Sequence, residues 1–214
     1  MSKVKICGLS REEDIEAVNL VLPDFIGFVF AQSRRRVDMK TAVVLKEKLD
    51  PRVGTVGVFV NERIETIAEI YQSGVIDWVQ LHGDEDDGYI KRLKDSCGCP
   101  VIKAVGVGDV LPSLPALPDY LLFDTLPALP DYLLFDTLSE QRGGTGRTFD
   151  WGVLKRYRGL PFFLSGGLSV ENVAAAIHTL APFCVDVSSG VETDGVKDAD
   201  KIKKFVQTVR RNQQ

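Results

Sequence analysis

The sequence predicts a single (β/α)8 barrel that spans residues 1–214 as one domain. Eight short apolar segments rich in β-branched and aromatic residues recur along the chain, each followed by an amphipathic stretch. Their near-continuous hydrophobicity is typical of parallel strands that are covered on both faces. An open doubly wound sheet is the structural alternative, but that fold normally carries a glycine-rich nucleotide fingerprint after its first strand, and Cys7-Gly8-Leu9-Ser10 is not one.

The predicted elements alternate between strand and helix along the whole chain. The candidate strands are Val4–Gly8, Phe25–Phe30, Val53–Val60, Trp78–Gly83, Val101–Val107, Tyr132–Asp136, Phe162–Gly166 and Cys184–Ser188. The last helix is expected from about Asp198 to Arg210, because apolar residues recur there on one face. The predicted helix starts are Ser10 with Glu13 as a capping box, and Asp38, Asn61 and Ser169 as single N-caps.

Composition argues against several classes of protein. The net charge of −4 gives no reason to expect nucleic acid or an anionic membrane as a partner. No apolar run of the sequence approaches the roughly 20 residues that span a bilayer. The N-terminus lacks the charged and apolar regions of a signal peptide. We therefore expect a cytoplasmic protein.

The four cysteines are too few and too scattered for a disulfide scaffold. Cys97-Gly98-Cys99 is the one close pair, and it lies in a predicted helix-to-strand loop. A structural zinc ion would need two more soft ligands nearby, whereas the chain has only His82 and His178. We expect no metal site.

One segment of the sequence is duplicated in tandem. Residues 114–125 read LPALPDYLLFDT, and residues 126–137 repeat the same twelve letters. We interpret the repeat as a recent or engineered duplication, and removing one copy leaves 214 − 12 = 202 residues. The two copies are two candidates for the sixth strand, and a barrel has one place for it.

Polar residues share one face on several of the predicted strands. Side chains alternate along a strand, so that residues i and i+2 lie on the same face. Lys5 shares a face with Cys7 and Gln80 shares one with His82, while Asp186 stands between two apolar neighbours. Burying polar groups without a purpose is costly. We therefore expect this set to converge on the barrel axis near the carboxyl ends of the strands, where barrel enzymes carry their active sites.

Small residues end the last two predicted strands. Ser165-Gly166-Gly167 follows the seventh strand, and Ser188-Ser189-Gly190 follows the eighth. One such segment alone is more often a tight turn. Two on adjacent strands favour a phosphate site, because the loops after strands seven and eight are the usual phosphate cradle of this fold.

Three consecutive arginines, residues 34–36, follow the second predicted strand. Such a run is often a solvated face. On a loop of the catalytic face, an arginine would instead hold a carboxylate through its bidentate fork. The residues alone leave both interpretations open.

Motifs between Val4 and Glu192 resemble those of the phosphoribosylanthranilate isomerases of tryptophan biosynthesis, in order and at family-like spacing. Several of these motifs are specific to that family. On these residues the chain is identified as a member of it. The segments that carry the resemblance are VKICGL (4–9), GFVF (27–30), GVFVN (57–61), VQLHG (79–83), IKAV (102–105), GGTG (143–146), FDW (149–151), LSGG (164–167) and VDVSSGVE (185–192).

The resemblance implies a cofactor-free Amadori rearrangement of N-(5-phosphoribosyl)anthranilate to 1-(2-carboxyphenylamino)-1-deoxyribulose 5-phosphate. A general acid opens the ribose ring to a Schiff base, and a general base then removes the proton from C2′. The only partner it implies is this phosphorylated small molecule. By motif, the resemblance places the base at Cys7, the acid at the aspartate of Leu-Leu-x-Asp-Thr, the anthranilate carboxylate on Arg35, the phosphate on Gly166, Gly167, Ser189 and Gly190, the sugar hydroxyls on Asp186, and the pocket lining on Gln80 and His82.

The duplication offers two aspartates, Asp124 and Asp136, as the general acid. The family has about five residues between Asp-Thr and the Gly-Gly-Thr-Gly motif. Residues 138–142 give five for the second copy, and residues 126–142 give seventeen for the first. Choosing the second copy moves the extra residues upstream, into the fifth helix and its return loop, where insertion is tolerated. We therefore assign Asp136. A surplus apolar strand invites pairing between molecules, so monomer and homodimer are both open.

Both catalytic groups need shifted pKa values. A cysteine thiol is only partly ionised at neutral pH, and we expect the charge of Lys5, on the same strand face, to lower the pKa of Cys7. A catalytic aspartic acid needs a pKa raised by burial or by a like charge, which Asp186 would supply.

Three other interpretations fit less of the sequence. The related sugar isomerase of histidine biosynthesis shares the fold and the reaction type, but it would carry an aspartate where Cys7 stands. A catalytically impaired barrel scaffold is a further alternative, and the duplication makes it less remote than usual. Outside its motif, Cys7 would be read as a buried structural thiol.

Overall fold

The computed structural model describes residues 1–108, 110–112, 130–138 and 148–212. Eight parallel strands close into a barrel in chain order, and the last of them pairs with the first. The predicted fold class is confirmed. The strands are β1 Lys3–Cys7, β2 Phe25–Val29, β3 Gly54–Phe59, β4 Trp78–Leu81, β5 Val101–Val107, β6 Tyr132–Thr137, β7 Phe162–Leu164 and β8 Cys184–Val187.

Helices follow six of the eight strands in the described part of the chain. They are α1 Glu12–Val21, α2 Met39–Lys48, α3 Ile64–Gln72, α4 Asp87–Cys97, α5 Val173–Leu180 and α6 Ala199–Arg211. The fifth helix was expected among residues that include 113–129, which lie outside the described residues. The described part of the β6–β7 connection holds a 3₁₀ turn, Trp151–Leu154. A short antiparallel hairpin, β9 Glu192–Thr193 and β10 Val196–Lys197, follows β8.

Apolar residues pack in two layers, one on each side of the barrel wall. Val4 and Ile6 of β1 belong to the large outer core between strands and helices. A smaller inner cluster around Phe25, Val56 and Phe163 fills the inside of the barrel. Because many of its members stand at or near the first residue of their strands, this cluster occupies the amino-terminal end. The opposite end of the interior is therefore left to polar side chains, as the alternation predicts.

The second copy of the repeat forms the sixth strand. Tyr132 pairs with Ile102 of β5, and Asp136 pairs with Gly106. On the other side, Leu134 pairs with Phe163 of β7. The first copy, residues 114–125 with Asp124, lies outside the described residues.

Two of the predicted helix starts are wrong by a few residues. Helix α3 begins after Arg63 rather than Asn61, and α5 begins after Asn172 rather than Ser169. Asn61 has a left-handed backbone, φ 51°, and its side chain accepts a hydrogen bond from the backbone of Asp84 instead. In each of these loops several polar residues compete for the capping position, and tertiary contacts select among them.

The capping box predicted for α1 is also wrong in its members. The helix begins at Glu12, and the carboxylate of Asp14 accepts hydrogen bonds from the backbone N–H groups of Ser10 and Arg11. Its third residue thus performs the role predicted for Glu13. Asp38 is confirmed as the N-cap of α2, where it accepts from the backbone N–H of Thr41 at 2.8 Å.

In the described ranges, no helix is long and apolar enough to cross a membrane. Across the same ranges, no group of three or more His, Cys, Asp or Glu side chains is placed to hold a metal ion. All four cysteines are free thiols. Cys97 ends α4, and Cys99 is buried just before β5.

Candidate active site

Lys5 stands at the centre of the barrel interior and is completely buried. Its ammonium group donates to Oδ2 of Asp186 at 2.8 Å and to Oε1 of Gln80 at 2.9 Å. The other oxygen of Asp186, Oδ1, is buried without a hydrogen-bond partner in the described part of the chain. Burial raises the pKa of Asp186 in spite of the Lys5 charge, and the charge of Asp136 raises it further. Three of the residues that the alternation placed on the axis, Lys5, Gln80 and Asp186, therefore meet there.

The contacts of Lys5 fix the hydrogen-bond directions at Gln80 and His82. An ammonium group only donates, so Gln80 presents its oxygen to Lys5 and its NH₂ group to His82. Nε2 of Gln80 lies 2.9 Å from Nδ1 of His82, which must therefore accept. In the neutral ring the hydrogen is then on Nε2, which lies 3.4 Å from Oδ2 of Asp136. Directed hydrogen bonds therefore run from Lys5 to Gln80 and from Gln80 to His82, whose Nε2 faces Asp136.

Cys7 ends β1 at the carboxyl end of the barrel, beside β2. It pairs with Gly27, and a side-chain carbon at Gly27 would lie 2.8 Å from Sγ of Cys7. Glycine on β2 therefore makes room for the thiol. Burial raises the pKa of Cys7, whereas the charges of Lys5 and Lys197 lower it. The influence of Lys5 has the predicted direction, but burial outweighs it.

The two loops with small residues touch each other. Gly166 and Gly167 have positive φ values of 83° and 65°, and a side chain on Gly166 would strike Thr137 and the carboxylate of Asp136. A side chain on Gly190 would strike the backbone carbonyl of Leu168. Within the described ranges, no hydrogen bond is formed by the backbone N–H groups of the four residues predicted to hold phosphate, Gly166, Gly167, Ser189 and Gly190.

Of the three arginines, Arg35 is the one that packs against Gly8, the residue after Cys7, in the part of the chain that the structure describes. Its stem passes over Gly8, where a side-chain carbon would collide with Cδ. Its guanidinium donates to both oxygens of Glu192, from Nε at 2.7 Å and from Nη2 at 3.0 Å. The side chain of Arg35 is 15% exposed and that of Arg34 is 56% exposed. The structure thus places Arg35, the residue that the motif selects, at the edge of the site.

Sequence reasoning gave no role to Glu192 or Lys197, which the structure brings into the site. Lys197 donates to the carboxylate of Glu192 at 2.7 Å and to the carbonyl of Ser188 at 2.9 Å. The signal that reveals them is Asp194-Gly195, a dipeptide typical of a two-residue hairpin turn. That turn folds β10 back onto β9 and pairs Lys197 with Glu192.

The arrangement combines three chemical capacities at one end of the barrel. A thiol and a carboxyl group, Cys7 and Asp136, stand at the ends of β1 and β6. Two loops present N–H groups that have no partner among the described residues and that suit an anion. Arg35 presents a fork that suits a carboxylate. An acid, a base and two anion sites together fit proton transfer on a substrate that carries two anionic groups.

A family model described as N-(5′-phosphoribosyl)anthranilate (PRA) isomerase matches residues 4–208. The N-(5′-phosphoribosyl)anthranilate isomerase of Endomicrobium trichonymphae is 48% identical over 210 residues, which cover 98% of this chain and 99% of that protein. The crystal structure of phosphoribosyl anthranilate isomerase from Thermotoga maritima is 36% identical and covers 99% of this chain and 100% of its own, with a TM-score of 0.81.

Two further solved structures are similar to this chain. A phosphoribosyl anthranilate isomerase in complex with reduced 1-(o-carboxyphenylamino)-1-deoxyribulose 5-phosphate is 33% identical, covers 99% of this chain and 100% of its own, and has a TM-score of 0.77. Monomers of the dimeric enzyme from Thermotoga maritima are 33% identical, cover 98% of this chain and 99% of their own, and have a TM-score of 0.76.

Proposed function

The chain belongs to the N-(5′-phosphoribosyl)anthranilate isomerase family, and from that premise we propose that it converts N-(5-phosphoribosyl)anthranilate to 1-(2-carboxyphenylamino)-1-deoxyribulose 5-phosphate in tryptophan biosynthesis. The reaction is an isomerisation, so no electrons enter or leave, and its steps are proton transfers that Cys7 and Asp136 would carry out. The observation that carries the proposal is that Cys7 and Asp136 stand at the ends of β1 and β6, at the same end of the barrel as Arg35 and the two loops with small residues.

Asp136 is assigned as the general acid of the first step. Its carboxyl group gives a proton to the ribose ring oxygen as the C1′–O bond breaks, which leaves an open-chain Schiff base. Oδ1 accepts a hydrogen bond from the backbone of Thr137 at 2.8 Å. The 3.4 Å separation between Oδ2 and His82 is long for a hydrogen bond. Oδ2 is therefore the oxygen assigned to carry the transferred proton.

Cys7 is assigned as the general base of the second step. Its thiolate takes the proton from C2′, and the electron pair of the C–H bond moves toward the Schiff-base nitrogen to give an enolamine. Tautomerisation of the enolamine then yields the ketone. Lys5 and Lys197 supply the positive charge that favours the thiolate.

Three groups are assigned to bind the rest of the substrate. Arg35 holds the anthranilate carboxylate through its guanidinium fork. The N–H groups of the two loops after β7 and β8 hold the phosphate. Oδ1 of Asp186 accepts a sugar hydroxyl, which would supply the partner that this buried oxygen lacks in the described part of the chain. Gln80 and His82, which are hydrogen-bonded to each other, are assigned to line the pocket.

The cellular setting follows from the same proposal. We place the enzyme in the cytoplasm, since four free thiols suit a reducing compartment. The relative from Thermotoga maritima is described as dimeric, and for this chain we propose a monomer or a homodimer. Its partner is the phosphorylated substrate.

The test is the loss of phosphoribosylanthranilate fluorescence with purified protein, together with the Cys7→Ser variant. The wild type should turn over the substrate, and Cys7→Ser should lower kcat by about 10²–10⁴-fold, as loss of a general base implies. Cys97→Ser is the matched control, because that thiol lies at the end of α4. A folded wild type without turnover, or an active Cys7→Ser variant, would refute the assignment.

A further inference from the structure

Glu192 gathers three cations on one carboxylate. Oε1 accepts from Arg35 at 2.7 Å and from Lys197 at 2.7 Å, and Oε2 accepts from Arg34 at 2.6 Å and again from Arg35. The side chain of Glu192 is 4% exposed. A buried carboxylate that accepts four charge-assisted hydrogen bonds is held in one orientation. The pKa of Glu192 is lowered by Arg35 and Lys197 although burial opposes the shift.

The hairpin after β8 determines where this carboxylate points. Glu192 pairs with Lys197 across β9 and β10. Asp194 and Gly195 close the turn with positive φ values of 52° and 80°. Thr193 donates to Asp198 at 2.7 Å and so joins the hairpin to the start of α6. The carboxylate is thus carried by a braced element that lies beside the loop after β2.

Only one edge of the Arg35 guanidinium is used by Glu192. A guanidinium has five N–H donors, arranged as two forks. Nε and Nη2 bind Glu192, and the structure gives no hydrogen bond to Nη1 in the described residues. A second fork, formed by Nη1 and the remaining hydrogen of Nη2, is left for another carboxylate. Glu192 and the substrate would therefore bind different edges and would not compete for the same donors.

The charges of the cluster match the charges that the reaction brings together. Arg34, Arg35 and Lys197 carry three positive charges and Glu192 carries one negative charge, so the cluster has 3 − 1 = +2. Lys197 reaches the base through Ser188, which donates to the carbonyl of Cys7 at 3.0 Å. The anions expected nearby are the substrate carboxylate and the Cys7 thiolate.

We propose that Glu192 is a positioning residue that fixes the guanidinium of Arg35 through one edge and thereby aims the other edge at the anthranilate carboxylate. Without Glu192, Arg35 would regain several rotamers, and ordering a long side chain opposes binding. The inference deepens the proposed function and rests on it. It assigns the recognition of the aromatic acid to a pair of residues rather than to one arginine.

The experiment compares two probes by calorimetric titration of the whole protein. One probe is reduced 1-(o-carboxyphenylamino)-1-deoxyribulose 5-phosphate, and the other is the same compound without the ring carboxylate. Glu192→Gln should weaken the carboxylate probe about tenfold, as loss of a charge-assisted fork implies, and should leave the other probe within about twofold. Arg35→Lys with Glu192→Gln should be no weaker than Arg35→Lys alone, because Glu192 acts through Arg35.

Two controls keep the outcomes distinct. Asp77→Asn removes a carboxylate that holds Lys46 at 3.1 Å outside the cluster, and it should change neither affinity. If Glu192→Gln does not fold, Glu192→Asp replaces it, because aspartate keeps the negative charge beside Lys197. Glu192→Asp should weaken binding of the carboxylate probe selectively. Equal weakening of both probes, no weakening, or tighter binding of the carboxylate probe would overturn the inference. A wild type that fails to isomerise phosphoribosylanthranilate would instead overturn the proposed function.

Discussion

Lys5 and Asp186 are paired across the seam where β8 meets β1, and their side chains form a 2.8 Å salt bridge inside the barrel. The bridge uses one oxygen of Asp186 and leaves Oδ1 buried and unpartnered among the described residues. One oxygen is thus used by the fold, and the other is the one proposed to accept a sugar hydroxyl of the substrate. Variants at Asp186 should therefore change both stability and substrate binding.

Asp186→Asn should destabilise the protein by about 3–5 kcal/mol, because it leaves the buried ammonium of Lys5 without its counter-charge. It should also raise KM, since the sugar hydroxyl loses a charged acceptor. Urea unfolding and steady-state kinetics measure the two effects. Asp95→Asn, which breaks an exposed pair with Lys91, should cost no more than about 1 kcal/mol. Equal losses for the two variants would contradict the role of burial.

The pH dependence of kcat/KM should show a limb that rises toward alkaline pH. Burial raises the pKa of Cys7, so the reactive thiolate forms only as the pH approaches that value. The positive charge of Lys5 stabilises the thiolate and lowers this pKa. Its removal should therefore move the rising limb to higher pH.

Lys5→Met with Asp186→Asn is the variant that tests this shift, because it leaves no buried charge unpaired. Its reference is the wild type, because the charge of Lys5 lowers the pKa of Cys7 more than the charge of Asp186 raises it. The rising limb should lie at higher pH in the double variant. Superimposable pH–rate profiles would show that Lys5 does not act on Cys7.

Gln80 should control catalysis through the tautomer of His82. Gln80→Met removes the amide that donates to Nδ1, so the ring hydrogen is no longer held on Nε2. We expect kcat to fall roughly five- to tenfold, as the loss of a hydrogen bond worth about 1 kcal/mol implies, with KM nearly unchanged. The chain has only two histidines, so ¹⁵N spectra can report the tautomer of His82 directly, with His178 as the internal control.

Gln80→Glu tests the hydrogen bond that Gln80 donates to His82 separately from the one that it accepts from Lys5. A glutamate at this position still accepts from Lys5, but it has no N–H for Nδ1. It should therefore lower kcat like the methionine variant. Retained activity with an unchanged ¹⁵N spectrum would remove Gln80 from the catalytic chain.

The local sequence predicts which side chains of a strand face the barrel interior. It does not predict which distant residues those side chains contact. The period of two places Lys5, Cys7 and Gln80 inside the barrel without any knowledge of register. The partners of Lys5 are 75 and 181 residues away in the chain, so their distances depend on closure of the whole barrel. The motif selects Arg35 among three arginines, but the contact with Glu192 spans 157 residues and needs the hairpin.

Helix starts were the least predictable part of the fold. Asp14 rather than Glu13 accepts the capping hydrogen bonds of α1, because the helix begins at Glu12 and Asp14 is its third residue. Asn61 is drawn into a contact with the loop after β4. Such competition among polar neighbours is settled by packing that a single sequence does not display.

The aspartate of the second repeat should be the catalytic one, and only point variants can show it. Asp136 lies in β6 beside His82, whereas Asp124 lies outside the described residues. Asp136→Asn should lower kcat by about 10²–10⁴-fold, and Asp124→Asn should stay near the wild type. The reverse result would place the first copy in the sheet.

Deleting one copy gives a control that the point variants lack. Because the copies are identical, removal of residues 114–125 or of 126–137 yields the same 202-residue chain, so this deletion cannot say which copy is used. It halves the segment between β5 and β6 from the 24 residues 108–131 to 12. A connection of half the length should cost about 0.6 kcal/mol less to close. We expect full activity of the deletion variant, with Asp124→Asn active and Asp136→Asn inactive in the long chain. That combination would establish that the first copy contributes nothing to catalysis. An inactive deletion variant would contradict it.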